Sequence, residues 1–189
     1  MLSDHYGWHP MYENVEYNPY LDDFYSDIKR WSFNLEVFFL KERFKDILRI
    51  AQEEKDVIQD RSIYEGVYVF TKGNYEMGNL SDRDYNTYMS LFQQLMTLVK
   101  LPDLMIYLRS SIPHLVGNIR KRGREYEKGI QLDYLEGLNE RYEDFITKRY
   151  EGRVLIVDVD DIDFLHNPED FRNIVQKIDS RLFGLFPQL

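Results

Sequence analysis

The chain has 189 residues, of which 43% are hydrophobic and 15% aromatic, so it is long and apolar enough to bury one sizeable core. A net charge of -9 argues against nucleic acid or an anionic membrane as the main partner. The absence of cysteine excludes disulfides and thiolate chemistry, and no apolar stretch approaches the ~18 residues of a membrane helix. We therefore expect a single soluble, cytoplasmic domain over residues 1–189, without a secretion signal.

Short apolar runs alternate with helical patterns along the chain. The runs that predict strands cover residues 8–12, 57–58, 104–108 and 154–157. The helical patterns cover residues 28–52, 63–72, 84–100, 112–120, 134–150 and 171–183, after a short first helix that Gly7 ends. Alternation of this kind predicts an α/β protein in which helices flank a parallel sheet.

Charged residues end three of the predicted strands: Glu13, Asp60 and Arg109. Because the carboxyl ends of parallel strands meet at one edge of a sheet, these side chains are candidates for one ligand site. In the segment Asp60-Arg61-Ser62, the acid can hold Mg²⁺ and the arginine can hold an anion. The same segment also fits a helix N-cap, at Asp60 or Ser62, with Arg61 in a surface ion pair.

The helix predicted at residues 28–52 carries Glu36 and Arg43, which are seven residues apart and therefore share a face. Two explanations stay open, namely surface ion pairs along the helix or a polar site on its inner face. The aromatic residues of the preceding segment, ENVEYNPYLDDFY, fit either the lining of a cleft or core packing. The helix at residues 84–100 has a wide apolar stripe, which can serve both the core and a dimer interface.

The most basic stretch of the chain is RKRGR, at residues 120–124. Its arginines can close over phosphates as a lid with the glycine as a hinge, or they can form a solvated helix end. A phosphoryl-transfer site requires an acid near Mg²⁺, a base for the incoming hydroxyl and arginines for the developing charge. The sequence supplies all three kinds of group: Asp60 as the acid, Glu13 as the base, and the arginines of this stretch.

Other kinds of site find little support in the sequence. The four histidines do not have the spacing of metal ligands, and no GxSxG stretch indicates a serine hydrolase. The acidic segment DVDDID, after the last predicted strand, lacks the central glycine of a calcium-binding loop.

Several segments together resemble the deoxynucleoside kinase family, especially the bacterial deoxyadenosine and deoxyguanosine kinases. The matching segments are YENVEYNPYLDDFY, WSFNLEVFFLKERF, DRSIYE and RKRGREYEKGI, which occur in the family's order and span nearly the whole chain. The resemblance implies a P-loop kinase-like fold of three layers, with a parallel sheet between helices, and usually a homodimer. It also implies Mg²⁺-assisted transfer of the γ-phosphoryl of ATP to the 5′-hydroxyl of a deoxynucleoside, with a purine base expected, and a lid at about residues 112–131.

The resemblance also assigns roles to individual residues. Glu13 matches the general base for the 5′-hydroxyl, Arg61 the arginine that steadies this site, and Asp60 the acid associated with Mg²⁺. The residues that match substrate contacts are Tyr25 and Glu127 for the sugar 3′-hydroxyl, Phe70 for stacking on the base, and Glu36 and Arg43 for reading the base. The residues that match the lid over the ATP phosphates are Arg122 and Arg124, with Arg120 just before them. The segment DVDDIDF matches the region near the ATP adenine.

The chain departs from the family pattern in the base-reading residues. Glu36 stands where the family commonly has Gln, and Gly66 stands where it often has Asp. An acid at position 36 can accept a hydrogen bond from an exocyclic amino group. This leads to the hypothesis that adenine is favoured over hypoxanthine.

A further departure concerns the phosphate-binding loop. No GxxGxGK[ST] motif occurs in the sequence, so we expect the first strand and the P-loop to be absent from this chain. On this basis, the sequence is expected to start at an internal Met, and its 189 residues alone are expected to bind ATP weakly. The alternative is a non-catalytic paralogue or a fragment that binds a nucleoside or a kinase partner.

Overall fold

The computed structural model describes residues 1–12, 18–123 and 131–184. The chain divides into two compact units, Met1–Lys100 and Leu101–Leu189. Within the described residues, every helix is too short or too polar to span a bilayer.

The first unit is mainly helical and contains one pair of short strands. Its elements are α1 (Leu2–Tyr6), β1 (His9–Met11), α2 (Leu21–Ser26), α3 (Ile28–Ile50), β2 (Val57–Gln59), α4 (Ile63–Glu65), the π-helix π1 (Gly66–Thr71), α5 (Lys72–Glu76) and α6 (Asp82–Met96). The predictions for β1, β2 and α3 are confirmed to within two residues. Gly7 ends α1 in the left-handed conformation, with φ 70°, as expected of a helix stop.

The parallel pair of β1 and β2 brings two predicted site segments together. His9 pairs with Val57 and Met11 with Gln59. Beyond the pair, the N–H of Asp60 donates to the carbonyl oxygen of Met11 at 2.8 Å. The carboxyl end of β1 therefore lies directly beside the Asp60-Arg61-Ser62 segment.

Helix α3 is the central element of the first unit and packs on α6 and π1. The buried apolar side chains around it include Leu35, Leu40, Ile63, Val67, Val69, Tyr88 and Phe92. Tyr64 and Tyr68 meet the ring of Phe92 edge to face, with centroids 6.0 and 5.8 Å apart. This contact anchors α4 and π1 to α6.

Two helices of this unit differ from their predicted bounds. The helix predicted at residues 63–72 runs on through π1 and α5 to Glu76, because the wider turn of π1 is inserted without ending the helix. Helix α6 begins at Asp82 rather than Asp84, because Ser81 caps it by accepting from the N–H of Asp84 at 3.2 Å.

The second unit contains the other two predicted strands. Its elements are β3 (Met105–Arg109), α7 (Ile112–Arg122), α8 (Leu132–Asp144), the π-helix π2 (Phe145–Arg149), β4 (Val154–Asp158) and α9 (Pro168–Leu182). Strands β3 and β4 pair in parallel, with Met105 opposite Val154 and Arg109 opposite Asp158. The core includes Phe145, Val157 and Ile178, which are almost inaccessible to solvent. In the described residues, the predicted strands thus form two parallel pairs, one in each unit.

Candidate functional site

The Asp60-Arg61-Ser62 segment connects β2 to α4. Ser62 caps α4, because its hydroxyl accepts from the N–H of Tyr64 at 3.2 Å. Glu65 completes the capping box by accepting from the N–H of Ser62 at 2.9 Å and from the Ser62 hydroxyl. The sequence-based alternative of an N-cap is therefore correct for Ser62, while Asp60 lies at the end of β2 with its side chain exposed.

Arg61 adopts an unusual backbone conformation. Its φ of 61° makes it the one non-glycine residue with positive φ in the described residues. Such a conformation costs about 1 to 3 kcal/mol and persists where the surroundings impose it. The guanidinium carbon of Arg61 lies 4.9 Å from the centroid of the Phe70 ring, close enough for a cation–π contact. Two predicted site residues, Arg61 and Phe70, are thus in contact.

Arg43 reaches the same segment from α3. Its Nη1 donates to the carbonyl oxygen of Arg61 at 3.3 Å and lies 3.5 Å from that of Asp60. Arg43 is buried, so these backbone contacts accompany an almost complete loss of water around the guanidinium. The geometry indicates that Arg43 holds the main chain that carries Asp60 and Arg61.

Glu36 is buried on the same face of α3, with 4% of its surface exposed. Its Oε2 accepts from the hydroxyl of Thr71 and its Oε1 from the amide of Asn74, each at 2.6 Å. Burial raises the pKa of the Glu36 carboxyl to about 6, although the hydrogen bonds from Thr71 and Asn74 lower it. Of the two explanations for Glu36 and Arg43, the burial of both side chains contradicts a surface ion-pair ladder and fits a polar cluster on the inner face of the helix.

The polar cluster around Glu36 extends to α6. Burial, followed by the nearby Glu36 charge, raises the pKa of the Tyr88 phenol, while a hydrogen bond with Thr71 lowers it. Asn79 donates from its amide to Oδ1 of Asn74 at 3.1 Å.

The opposite, exposed side of α3 carries ion pairs, with Lys41 Nζ 2.6 Å from Glu42 Oε1.

The segment before α3 divides between packing and exposure. The ring of Tyr20 lies 6.0 Å from that of Trp31 and 6.1 Å from that of Phe38, so Tyr20 packs on α3. Tyr25, in α2, is 74% exposed. In the part of the chain that the structure describes, the one aromatic ring that it contacts is that of its neighbour Phe24. Its expected partner Glu127 and the expected base Glu13 lie outside the described residues.

In the second unit, α7 carries the described part of the basic stretch. Arg120 and Arg122 lie exposed in its last turn, where cations interact favourably with the helix dipole. Gly123 ends α7 with φ 66°, and its N–H donates to the carbonyl oxygen of Ile119 at 3.1 Å. This glycine therefore serves as a helix stop, while Arg124 lies outside the described residues.

The acidic segment that begins at the last residue of β4 is hydrogen-bonded to the end of β3 and to the two serines that follow it. Asp158 accepts from Nε and Nη2 of Arg109 at 2.5 and 2.9 Å, so the predicted strand-end arginine has a two-point partner. Asp160 accepts from the N–H of Ser111 at 3.0 Å and from the hydroxyl of Ser110 at 2.7 Å. The contacts with Ser111, followed by that with Ser110, lower the pKa of Asp160 to about 2.

In residues 1–12, 18–123 and 131–184, no three acidic or histidine side chains cluster closely enough to enclose a metal ion. Magnesium in phosphoryl-transfer sites is typically held by one or two carboxylates, substrate phosphates and water. The exposed carboxylate of Asp60, at the end of β2, is a hard oxygen ligand of the right kind for that role.

Comparison with known proteins identifies the family. The sequence profile described as deoxynucleoside kinase matches residues 1–182. The chain belongs to the deoxynucleoside kinase family. A deoxyadenosine/deoxycytidine kinase of Bacillus subtilis is 38% identical over 181 residues, which cover 95% of this chain and 83% of that protein. A deoxyguanosine kinase of the same organism is also 38% identical, over 94% of this chain and 87% of its own length.

A solved structure supports the same assignment for this deoxynucleoside kinase. Deoxyadenosine kinase from M. mycoides with bound dATP has a TM-score of 0.78 and 32% identity, over 95% of this chain and 90% of its own. The function is therefore that of a deoxynucleoside kinase, a transferase, and the α/β fold of the P-loop kinase type is confirmed.

Sequence analysis missed two residues of this kinase's candidate site. Thr71 and Asn74 hold the carboxylate of Glu36, yet neither was predicted to have a role. The available signal was their spacing, since polar residues three apart on a helix share a face and both follow the site residue Phe70.

Proposed function

We propose that this deoxynucleoside kinase transfers the γ-phosphoryl of ATP to the 5′-hydroxyl of a purine deoxynucleoside, in nucleotide salvage. The relatives are named for deoxyadenosine/deoxycytidine and for deoxyguanosine, and the matched solved structure is a deoxyadenosine kinase, so a purine is common to all three names. The observation that carries the proposal is the arrangement at the end of β2, where Arg43 holds the main chain of Asp60 and Arg61. A carboxylate and a guanidinium carried next to each other on a main chain that Arg43 holds suit a reaction that depends on positioning and charge stabilisation.

The reacting groups are assigned to the ends of β1 and β2. We assign Glu13 as the base that accepts the proton of the 5′-hydroxyl and Arg61 as the group that stabilises the negative charge developing there. Glu13 follows Met11 by two residues, and Met11 accepts from the N–H of Asp60 at 2.8 Å, which supports a shared location. The imposed left-handed backbone of Arg61 is consistent with a functional constraint.

The nucleotide side of the reaction involves a cation and arginines. Asp60 is assigned as the carboxylate that holds Mg²⁺, which supplies charge neutralisation on the ATP phosphates. Arg120, Arg122 and Arg124 are assigned to the ATP phosphates as part of a lid at residues 112–131. The exposure of Arg120 and Arg122 at the end of α7 is compatible with this role.

The deoxynucleoside is assigned to residues of the first unit together with Glu127. Phe70 is proposed to stack on the base, Glu36 and Arg43 to recognise its edge, and Tyr25 with Glu127 to hold the 3′-hydroxyl. The contact between Arg61 and Phe70 supports one continuous site for the base and the 5′-hydroxyl.

Assembly and location are also part of the proposal. We propose a homodimer formed through α6, because Leu91 on this helix and Leu98 just after it are exposed, at 39% and 71%. A cytoplasmic location remains a prediction from the composition. Sedimentation of the purified protein at the mass of one chain would contradict the dimer.

The proposed catalytic role of Arg61 can be tested with a matched pair of arginine variants. Arg61→Met removes the guanidinium but keeps an unbranched side chain, and Arg83→Met makes the same change at an exposed position of α6. In protein produced from the complete reading frame, we expect Arg61→Met to lower kcat/KM for deoxyadenosine by about 100-fold or more. Arg83→Met should retain the parental value.

Equal activity of the two variants would contradict the proposed role of Arg61. If Arg61→Met and Arg83→Met have the same kcat/KM, while both unfold at the parental temperature, Arg61 does not stabilise the reacting groups. Circular dichroism with thermal unfolding provides the check on folding.

A further inference from the structure

The start of α7 is joined to the segment that follows β4. Beyond the paired strands, the N–H of Val159 donates to the carbonyl oxygen of Arg109 at 3.0 Å. One residue further on, Oδ1 of Asp160 accepts from the hydroxyl of Ser110 at 2.7 Å and from the N–H of Ser111 at 3.0 Å. Its Oδ2 lies 3.2 Å from the same N–H. Asp160 therefore binds both of the residues that connect β3 to α7.

The contacts of Asp160 are of a strong kind. Its hydrogen bonds from Ser111, followed by that from Ser110, lower the pKa of Asp160 to about 2, so the carboxylate is ionised at neutral pH. Hydrogen bonds to an ionised acceptor are stronger than those between neutral groups. Ser110 is buried, so its hydroxyl depends on this partner. Nδ1 of His114, in the first turn of α7, also lies 3.7 Å from Oδ1 of Asp160.

Elsewhere along its length, α7 is held less firmly. From Ile112 to Arg122, all of which the structure describes, the helix has no buried residue, and it packs on α8. The orientation of a helix is usually set by burial of its apolar face. Because α7 lacks a fully buried face, the hydrogen-bonded joint at its start is expected to contribute to its orientation.

An error in direction at the start of α7 grows along the helix. Eleven residues of α-helix extend about 16 Å, so a tilt of about 10° at the start moves the far end by about 3 Å. The exposed Arg120 and Arg122 lie at that far end. Their location thus depends on the joint, although Asp160 itself lies at the opposite end of the helix.

We propose that Asp160 is a positioning residue for ATP, which fixes the direction of α7 at Ser110 and Ser111 and thereby places Arg120 and Arg122 for the phosphates. This inference rests on the proposed function, in which these arginines contact the ATP phosphates. It extends that function by naming the carboxylate that orients the helix on which they lie.

The test measures KM for ATP and KM for deoxyadenosine in protein produced from the complete reading frame. Asp160→Ala removes the acceptor, Asp160→Asn keeps one oxygen of it, and Ser110→Ala removes one donor. Asp103→Ala and Ser180→Ala make the same changes at exposed positions of the second unit, before β3 and in α9. A general loss of active protein lowers kcat and leaves both KM values unchanged, so the KM values separate positioning from loss of folded enzyme.

Asp160→Ala should raise KM for ATP by about tenfold and leave KM for deoxyadenosine unchanged. Ser110→Ala should raise KM for ATP by about threefold, because it removes only one of the bonds. Asp160→Asn should restore part of the loss, since its oxygen can still accept. The double variant of Asp160→Ala and Ser110→Ala should match Asp160→Ala alone, because the shared contact is lost only once. The two controls should keep both parental KM values.

Three outcomes would overturn the inference. The first is an unchanged KM for ATP in Asp160→Ala. The second is an equal rise of both KM values, which would mean a general loosening of the protein. The third is a rise of about thirtyfold in the double variant, because independent effects would mean that Asp160 does not act through Ser110. If Asp160→Ala does not fold, an unchanged KM for ATP in Ser110→Ala overturns the inference instead.

Arg122→Met distinguishes this failure from that of the proposed function. Loss of the guanidinium should raise KM for ATP at least about tenfold if the arginine contacts the phosphates. A parental KM for ATP in Arg122→Met would refute the proposed lid and the inference with it. A raised KM in Arg122→Met beside a parental KM in Asp160→Ala would refute the inference alone.

Discussion

Replacement of Glu36 by Gln should change how stability depends on pH. Burial raises the pKa of Glu36 from 4.5 to about 6, so the folded protein binds this proton more tightly than the unfolded chain does. A shift of that size corresponds to about 2 kcal/mol. The contribution is fully present below pH 4.5 and is lost as the pH rises through about 6.

The assay is urea unfolding of the parental protein and of Glu36→Gln between about pH 4 and pH 8. Gln does not titrate, so any constant packing cost of the substitution shifts its curve equally at every pH. The unfolding free energy of the parental protein minus that of Glu36→Gln should fall by about 2 kcal/mol as the pH rises across this interval. The fall occurs because the parental protein loses the stabilising contribution of the proton on Glu36. The phenol of Tyr88, which faces the same cluster, stays neutral throughout because its pKa is raised.

Glu42→Gln is the matched control for this experiment. Glu42 is on the outer side of α3, and a hydrogen bond from Lys41 lowers its pKa. Its difference curve should therefore slope weakly in the opposite direction, since a carboxylate with a lowered pKa stabilises the fold above its unfolded pKa. A flat difference curve for Glu36→Gln, or one with the sign expected for Glu42, would refute the reasoning about the buried carboxylate.

Three further substitutions test other parts of the structure. Arg43→Met should lower kcat/KM at least about tenfold by releasing the carbonyl oxygens of Asp60 and Arg61, and parental kinetics would show that this contact is dispensable. Gly123→Ala should cost about 1 kcal/mol in urea unfolding because φ is 66°, and an unchanged midpoint would contradict this. Asp160→Ala should speed hydrogen exchange at the N–H of Ser111, and equal exchange rates would mean that this bond does not order the start of α7.

Local patterns were sufficient to predict much of the fold. The strand at β2 is a short apolar run bounded by charges, and Ser62 with Glu65 forms a capping box that is visible in the sequence. Gly7 and Gly123 mark helix ends because glycine adopts positive φ without a Cβ clash. Resemblance across several segments identified the family, which the matched profile confirms.

The interior of the site could not be predicted from local patterns. The partner of Glu36 at Asn74 lies 38 residues away in sequence, and only the packing of α3 on π1 and α6 brings them together. The same packing decides that Glu36 and Arg43 are buried, because their shared spacing fits either face of a helix. The left-handed backbone of Arg61 had no sequence signal, since non-glycine residues rarely adopt it.

The central claim is tested most directly by identifying the reaction product. Protein produced from the complete reading frame is incubated with ATP, Mg²⁺ and deoxyadenosine, and the products are separated and identified by phosphorus NMR. The account predicts equal amounts of ADP and deoxyadenosine 5′-monophosphate, and loss of both in Arg61→Met but not in Arg83→Met. Release of ADP without a nucleoside monophosphate, or phosphorylation at the 3′-hydroxyl, would contradict it.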